Sequence, residues 1–350
     1  MLLEVDVEKR YSGFHTRAEF SLSSERCGVF GPSGSGKSTL MHLLAGLTDP
    51  DRGHIRLNDK TLFDSSRNIN LPPQKRRIGV VFQHAHLFPH MNVRKNLSYG
   101  LKRRSSGAND IDPQQLIEVL QLTNMLERRV SKLSGGERQR VALGRTILAS
   151  PDLILMDEPL TGLDAELKYK IIPHLQRVFS EFSIPVLFIS HDLQEMRVMT
   201  DNVLVMQDGT IKRHLSTEAL ARSGSVSGRR YMNLLTLESP TDLGDLMRYR
   251  WGEVELMLVK THDTGSGQFC LNASDILLFK QHPQAASARN MLSCTIRSTY
   301  QTDWLVGVEL DYRGNTLIAE IVPQSIEELD IRPGNEIIAV IKASAFKRMY

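Results

Sequence analysis

Three things are scarce in this chain: cysteine, net charge and long apolar runs. Its 350 residues hold only Cys27, Cys270 and Cys294, odd in number, far apart and without a C-x-x-C pair. That pattern argues against a disulfide framework and a zinc site, and fits a reducing compartment. Basic residues number 43 and acidic 40, a net charge of +3. No basic surplus is available to neutralise a run of phosphates, so nucleic acid is not expected as a partner. The clusters Lys102-Arg103-Arg104 and Arg229-Arg230 read as solvated loops. No apolar stretch approaches the ~18 residues of a membrane-spanning helix. The start, Met1-Leu2-Leu3-Glu4-Val5-Asp6, alternates like a strand and does not read as a secretory leader. Any membrane role is expected to come through a partner.

What is present begins with a glycine-rich loop. Gly31-Pro32-Ser33-Gly34-Ser35-Gly36-Lys37-Ser38-Thr39 fits G-x-x-x-x-G-K-[ST], in which backbone amides wrap a phosphate chain. The apolar run Cys27-Gly28-Val29-Phe30 leads in as a buried strand, and Leu40 to Ala45 leads out at helical spacing. Lys37 is expected to reach the β- and γ-phosphates of a nucleotide and Ser38 to hold Mg²⁺, with the helix N-terminus adding its dipole.

Around this loop, buried strands alternate with helices, which predicts a parallel α/β sheet. Ile78 to Phe82, Leu153 to Met156, Val186 to Ile189 and Val203 to Met206 read as further strands. Gln83, Asp157-Glu158 and Ser190-His191 stand at carboxyl ends of these strands, where ligands bind in open parallel sheets. Residues scattered over about 160 positions are thus expected to converge on one nucleotide. The polar stretch from about 84 to 150, including Pro113 to Leu120, reads as a helical insertion. Residues 221–230 read as a linker, and from 231 the pattern is all β. Its short strands suggest a small barrel of the oligonucleotide-fold kind. The domains are therefore expected at 1–220 and 231–350.

Each candidate also has a plainer reading. Asp157-Glu158 could be a solvated turn before Pro159, but two adjacent acids after an apolar strand suit metal binding by Asp157 and water activation by Glu158. His191 could be a satisfied loop histidine; at a strand end it reads as a γ-phosphate contact. Gln83 has the same placement and could join the metal shell. Ser134-Gly135-Gly136-Glu137 is S-x-x-E, a capping box. Two glycines weaken a helix start but expose backbone amides to an anion, and both roles can hold together.

Taken together, Gly31 to Thr39, Gln83, Leu133 to Arg140, Leu153 to Glu158, Leu163-Asp164 and His191 resemble the ATP-binding-cassette ATPases in order and spacing. The resemblance covers residues 1 to about 215. It implies a P-loop NTPase core with ATP and Mg²⁺ as ligands. It also implies that Ser134, Gly135, Gly136 and Glu137 contact the nucleotide of a second copy of the chain, with Asp164 at the dimer contact. The helical insertion, with Gln83 to His90 at its root, would dock a membrane permease, itself served by a substrate-binding protein. The expected location is the cytoplasmic face of the inner membrane, as a peripheral subunit.

The tail, about 285–348, resembles the molybdate-binding Mop-type domain carried by ATPases of molybdate importers. Ser287 to Leu292 and Ile341 to Phe346 carry that likeness, and Leu71 to Ile78 and Leu87 to His90 are similar to the same subgroup. A tetrahedral dianion such as molybdate wants charged donors and hydroxyls together, which Ser287, Arg289, Lys342 and Ser344 could supply. Some positions depart from the family pattern. Cys294 stands where the Mop pattern has glycine, so a different local turn is expected. His84 replaces an acid, and Thr161-Gly162 replaces Ser-Ala. Tyr11 and Phe14 are both open as the adenine contact. An importer ATPase for sulfate, tungstate, a metal complex or a sugar is the nearest rival. A soluble cassette of repair or translation would carry two cassettes or a long coiled insertion, and neither is present.

Overall fold

The computed structural model describes residues 2–103, 111–160, 165–223, 231–261, 264–284, 287–302 and 304–349. Thr161 to Asp164, most of the expected linker, Arg104 and Arg229-Arg230 lie outside the described residues. The chain divides into two compact units, Met1–Glu218 and Ala219–Tyr350. No described helix is long and apolar enough to cross a membrane.

The first unit is built on one eleven-stranded sheet. In chain order its elements are β1 (Leu3–Tyr11), β2 (Phe14–Leu22), β3 (Arg26–Phe30), α1 (Lys37–Ala45), β4 (Arg52–Leu57), β5 (Lys60–Asp64), β6 (Ile69–Asn70), α2 (Pro73–Arg76) and β7 (Ile78–Val81). There follow α3 (Val93–Leu101), α4 (Pro113–Val119), α5 (Gly135–Leu148), β8 (Leu153–Asp157), α6 (Ala165–Phe182), β9 (Val186–Ser190), α7 (Leu193–Met199), β10 (Asn202–Gln207) and β11 (Thr210–Ser216). The sheet runs β6-β5-β4-β1-β2-β11-β10-β3-β9-β8-β7. From β10 to β7 every neighbour is parallel. These strands read as continuous apolar runs because both faces are covered: β9 is buried at all five positions and β8 at four.

The other arm is antiparallel, β1 pairing with both β2 and β4. Its strands alternate, with Leu3, Val5 and Val7 buried and Glu4 and Asp6 half-buried between them. The parallel sheet read from the sequence is therefore half of a mixed one. β2 reaches the parallel half through β11, the return strand of the β10 hairpin.

The second unit is all β, in two five-stranded sheets. Its first half holds β12 (Met232–Asp242), β13 (Leu246–Trp251), β14 (Val254–Val259), β15 (Gly267–Asn272) and β16 (Ile276–Phe279). The second half repeats the plan with β17 (Asn290–Gln301), β18 (Val306–Tyr312), β19 (Asn315–Ile321), β20 (Glu336–Ile341) and β21 (Lys347–Arg348). Each half lends its last strand to the other: β16 pairs with β20 and β21 with β15. Two buried asparagines clasp the halves in matching ways. Asn233 bonds both backbone groups of Ile318 in β19, and Asn290 those of Met257 in β14. A single apolar cluster drawn from both halves fills the interior. Cys294 is not at a turn. It lies mid-strand in β17, opposite Ile337 and buried, because Leu292, Cys294 and Ile296 alternate into that core.

Candidate functional site

Sheet order does most of the assembly. β3, β9, β8 and β7 are neighbours and parallel, so their carboxyl ends open on one edge. Those ends carry the glycine loop, Ser190-His191, Asp157-Glu158 and Gln83 respectively. The ends of β3, β8 and β7 border a cleft of about 430 Å³, lined by Ser33, Gly34 and Gly36 to Thr39 of the loop with Gln83, Asp157, Glu158 and Phe14, whereas His191 is not in this lining and joins it only through Glu158.

The loop is seated by parts of the chain that the sequence did not tie to it. A Cβ at Gly31 would collide with the Met206 carbonyl at the end of β10. One at Gly36, whose φ is +102°, would press on Met206 and Phe14. The Gly209 amide of the β10–β11 turn donates to the Ser35 carbonyl at 3.0 Å. Gly34 also has positive φ, and a Cβ there would meet nothing within 4 Å. The loop is thus gripped from beneath and open on the cleft side.

Lys37 is buried, and its Nζ donates to the carbonyls of Gly31 at 2.9 Å and Pro32 at 2.8 Å. Burial pulls its pKa down, against the opposing pull of Glu158 and Asp157. A buried ammonium whose hydrogen bonds run only to neutral carbonyls suits an anionic ligand. Ser35 Oγ is buried without a hydrogen-bond partner among the described residues. Ser38 Oγ donates to Asp157 Oδ1 at 3.3 Å. Burial raises the Asp157 pKa, and the Ser38 bond works against it. A hydroxyl, a half-buried carboxylate and the Gln83 amide on one cleft form a set of hard oxygen donors suited to Mg²⁺.

Glu158 has left-handed backbone, φ +44°, and its N–H donates to the Ile189 carbonyl of β9 at 2.9 Å. Its Oε1 lies 3.0 Å from His191 Nδ1. Strain of about 1–3 kcal/mol at a cleft carboxylate is typical of functional positions. Phe14 lines the cleft, whereas its register partner Tyr11 is exposed, with Lys9 Nζ 5.8 Å from the ring centroid.

Ser134 to Glu137 do not line this cleft. They form the expected capping box on α5: Glu137 N–H donates to Ser134 Oγ at 3.2 Å, and Ser134 N–H to Glu137 Oε2 at 2.6 Å. The Ser134 N–H holds the Glu137 carboxyl below its usual range. Gly135 lines a second hollow, of about 520 Å³, with Gln83, His84, His86, Arg138 and Gln139. Gln139, part of the Leu133 to Arg140 stretch but without a role of its own in the sequence pattern, donates to the Phe82 carbonyl at 3.3 Å and ties α5 to the Gln83 strand end.

In the second unit, Asn290 pairs with Ile341, which sets Arg289 beside Lys342. Ser287, Arg289, Lys342 and Ser344 are all exposed. None of the four side chains is hydrogen-bonded or ion-paired among the described residues.

Comparison with known proteins bears on the family and the fold. The ABC transporter family profile matches residues 17–161, and the TOBE domain profile residues 286–347. The molybdenum import ATP-binding protein ModC of Rhizobium meliloti is 38% identical over 357 residues, 99% of each chain. This chain belongs to the ATP-binding-cassette transporter family. The ModC protein of Salmonella choleraesuis is 37% identical over 324 residues, 90% of this chain and 91% of that protein. Among solved structures, a dimeric bacterial ABC transporter cassette is 25% identical with TM-score 0.51, covering 62% of this chain and 99% of its own. The cassette is an ATPase whose hydrolysis is coupled to transport, and the TOBE match corresponds to the expected Mop-type tail.

Proposed function

We propose that this cassette powers molybdate import by hydrolysing ATP on the inner face of the cell membrane. The observation that carries the chemistry is the convergence of three parallel strand ends on one cleft, with His191 of a fourth held against Glu158. The cargo is supported by the names of relatives matched over nearly the full length of both chains. The loop amides and Lys37 hold the β- and γ-phosphates, the ammonium exchanging its carbonyl partners for phosphate oxygens. Ser38, Asp157 and Gln83 would hold Mg²⁺, whose charge offsets that of the phosphates. Glu158 polarises water for in-line attack on the γ-phosphorus and accepts its proton. His191, engaged by Glu158 through Nδ1, keeps Nε2 available to the γ-phosphate.

The site is completed by a second copy, whose Ser134 to Glu137 present helix-start amides to the γ-phosphate. ATP binding draws the copies together, hydrolysis releases them, and the permease, seated in the hollow beside Gln83, follows. A substrate-binding protein delivers the cargo from outside. In the tail, Ser287, Arg289, Lys342 and Ser344 hold intracellular molybdate and restrain transport. Supporting this, the Asn290–Ile341 pair sets Arg289 beside Lys342, and all four side chains are exposed with no partner among the described residues.

Glu158→Gln should bind ATP and dimerise but barely hydrolyse, whereas near-normal turnover removes Glu158 from the base role. Calorimetric titration of the full chain with molybdate, tungstate and sulfate should give heat with molybdate that Arg289→Ala abolishes. Equal or absent heats with the three anions contradict the oxyanion site.

A further inference from the structure

Behind His191 lies an ionic cluster, buried at its carboxylate and half-buried at its ammonium, that the proposed reaction does not use. Glu195, on α7, is almost wholly buried. Its two carboxylate oxygens go to two different elements. Oε1 accepts from Lys168 Nζ of α6 at 2.7 Å, and Oε2 from Ser190 Oγ at the end of β9, also at 2.7 Å. Ser190 is fully buried and in turn accepts from the Asp192 amide at 3.0 Å. Asp192 caps α7 by accepting from the Gln194 and Glu195 amides. His191 is the residue between Ser190 and Asp192, so both of its flanks are pinned.

The helix carrying Glu195 is itself fixed against the phosphate-loop strand. A Cβ at Gly28 of β3 would stand only 2.5 Å from Met196 Sδ. Position 28 therefore excludes a side chain so that α7 can rest on β3. Burying a carboxylate and an ammonium is expensive, and replacing such a pair by apolar groups is often neutral or stabilising. A pair placed directly behind a reactive strand end has a positional use that a stability argument does not supply.

We propose that Glu195 is a positioning residue for His191. With Lys168 and Ser190 it forms a latch that sets the β9–α7 turn, and with it the His191–Glu158 contact. Lys168 sits in the first turn of α6, which begins one residue after Asp164, the residue expected at the subunit contact. The inference rests on the γ-phosphate role assigned to His191 above.

The test uses the full chain and reads kcat and KM for MgATP, thermal melting, and NMR of ¹⁵N-labelled histidine with His191 assigned through His191→Gln. The double variant Lys168→Met/Glu195→Gln removes both charges together and leaves neither one buried alone. Its kcat should fall about tenfold or more, as for a misplaced reacting group, with KM within about twofold. Its melting is retained, and the His191 ring-nitrogen shifts move. Lys168→Met alone should lose about as much kcat as the pair, the non-additivity of one unit. If His191→Gln turns over at the wild-type rate, the inference falls together with the reading it rests on. If His191→Gln is inactive but the double variant keeps wild-type kcat and unmoved His191 shifts, the latch alone is overturned. A loss confined to melting overturns it as well.

Discussion

Asp157 is held at the cleft in a state that folding alone disfavours. Burial raises its pKa above the ordinary 3.8, outweighing the bond from Ser38. A carboxyl with a raised folded-state pKa is most compatible with the fold when protonated. The deficit is absent below about pH 4 and grows as pH rises through the folded-state value. Asp157→Asn is neutral at every pH. Without nucleotide it should melt above wild type at pH 7, with the gap closing toward pH 4. The same variant should lose Mg²⁺-dependent hydrolysis, because its amide no longer offers an anionic ligand. A melting difference independent of pH contradicts this account of Asp157.

At the scale of elements, α1 has a prepared end on each side. Its start faces the cleft, and its far end is closed by Arg76 of α2. That guanidinium is fully buried and donates to the carbonyls of Leu43 at 2.7 Å, Leu44 at 2.9 Å and Leu71 at 2.8 Å, and to Asn70 Oδ1 at 3.0 Å. Gly46 lets it in, since a Cβ there would sit 2.5 Å from Arg76 Nε. Arg76 satisfies orphan carbonyls and sets a positive charge at the negative end of the helix. Arg76→Met should cost about 3 kcal/mol in chemical denaturation by removing these hydrogen bonds from buried acceptors, of which Leu43 keeps the Gly46 N–H. Arg76→Lys should recover only part, since one ammonium cannot span the fork. An unchanged denaturation midpoint for Arg76→Met contradicts this.

The elements differ in how far the sequence exposed them. β3, β8 and β9 were legible because strands buried on both faces read as unbroken apolar runs, and their ends carried the reactive residues. The antiparallel arm was read strand by strand but not in its order, because pairing across fifty residues leaves no local trace. The hold of the Asp208-Gly209 turn on the phosphate loop depends on β10 pairing with β3, which no local pattern displays. β17 did carry a signal, the alternation of Leu292, Cys294 and Ile296. The repeat in the second unit left a short echo, Asn272-Ala273-Ser274 against Lys342-Ala343-Ser344, too brief to find without the matching strand plans. Gln139 and Glu195 bear on the site only through contacts the sequence does not display.

For the whole molecule, the central claim is that one chain holds half a site. The loop, Asp157, Glu158 and Gln83 share one cleft, while Ser134 to Glu137 cap α5 away from it. Two copies facing head to tail would bring each Ser134 end to the other's phosphates. The three native cysteines are buried, so engineered thiols at exposed positions can be read against a quiet background. The most direct measurement places Ser33→Cys and Lys132→Cys in the full-length Glu158→Gln chain and treats it with a short bismaleimide. With MgATP the account predicts a covalent product of two chains, absent without nucleotide and lost when Ser134→Arg is added. Crosslinking that ignores ATP, or that stays within single chains while ATP is bound, would contradict it.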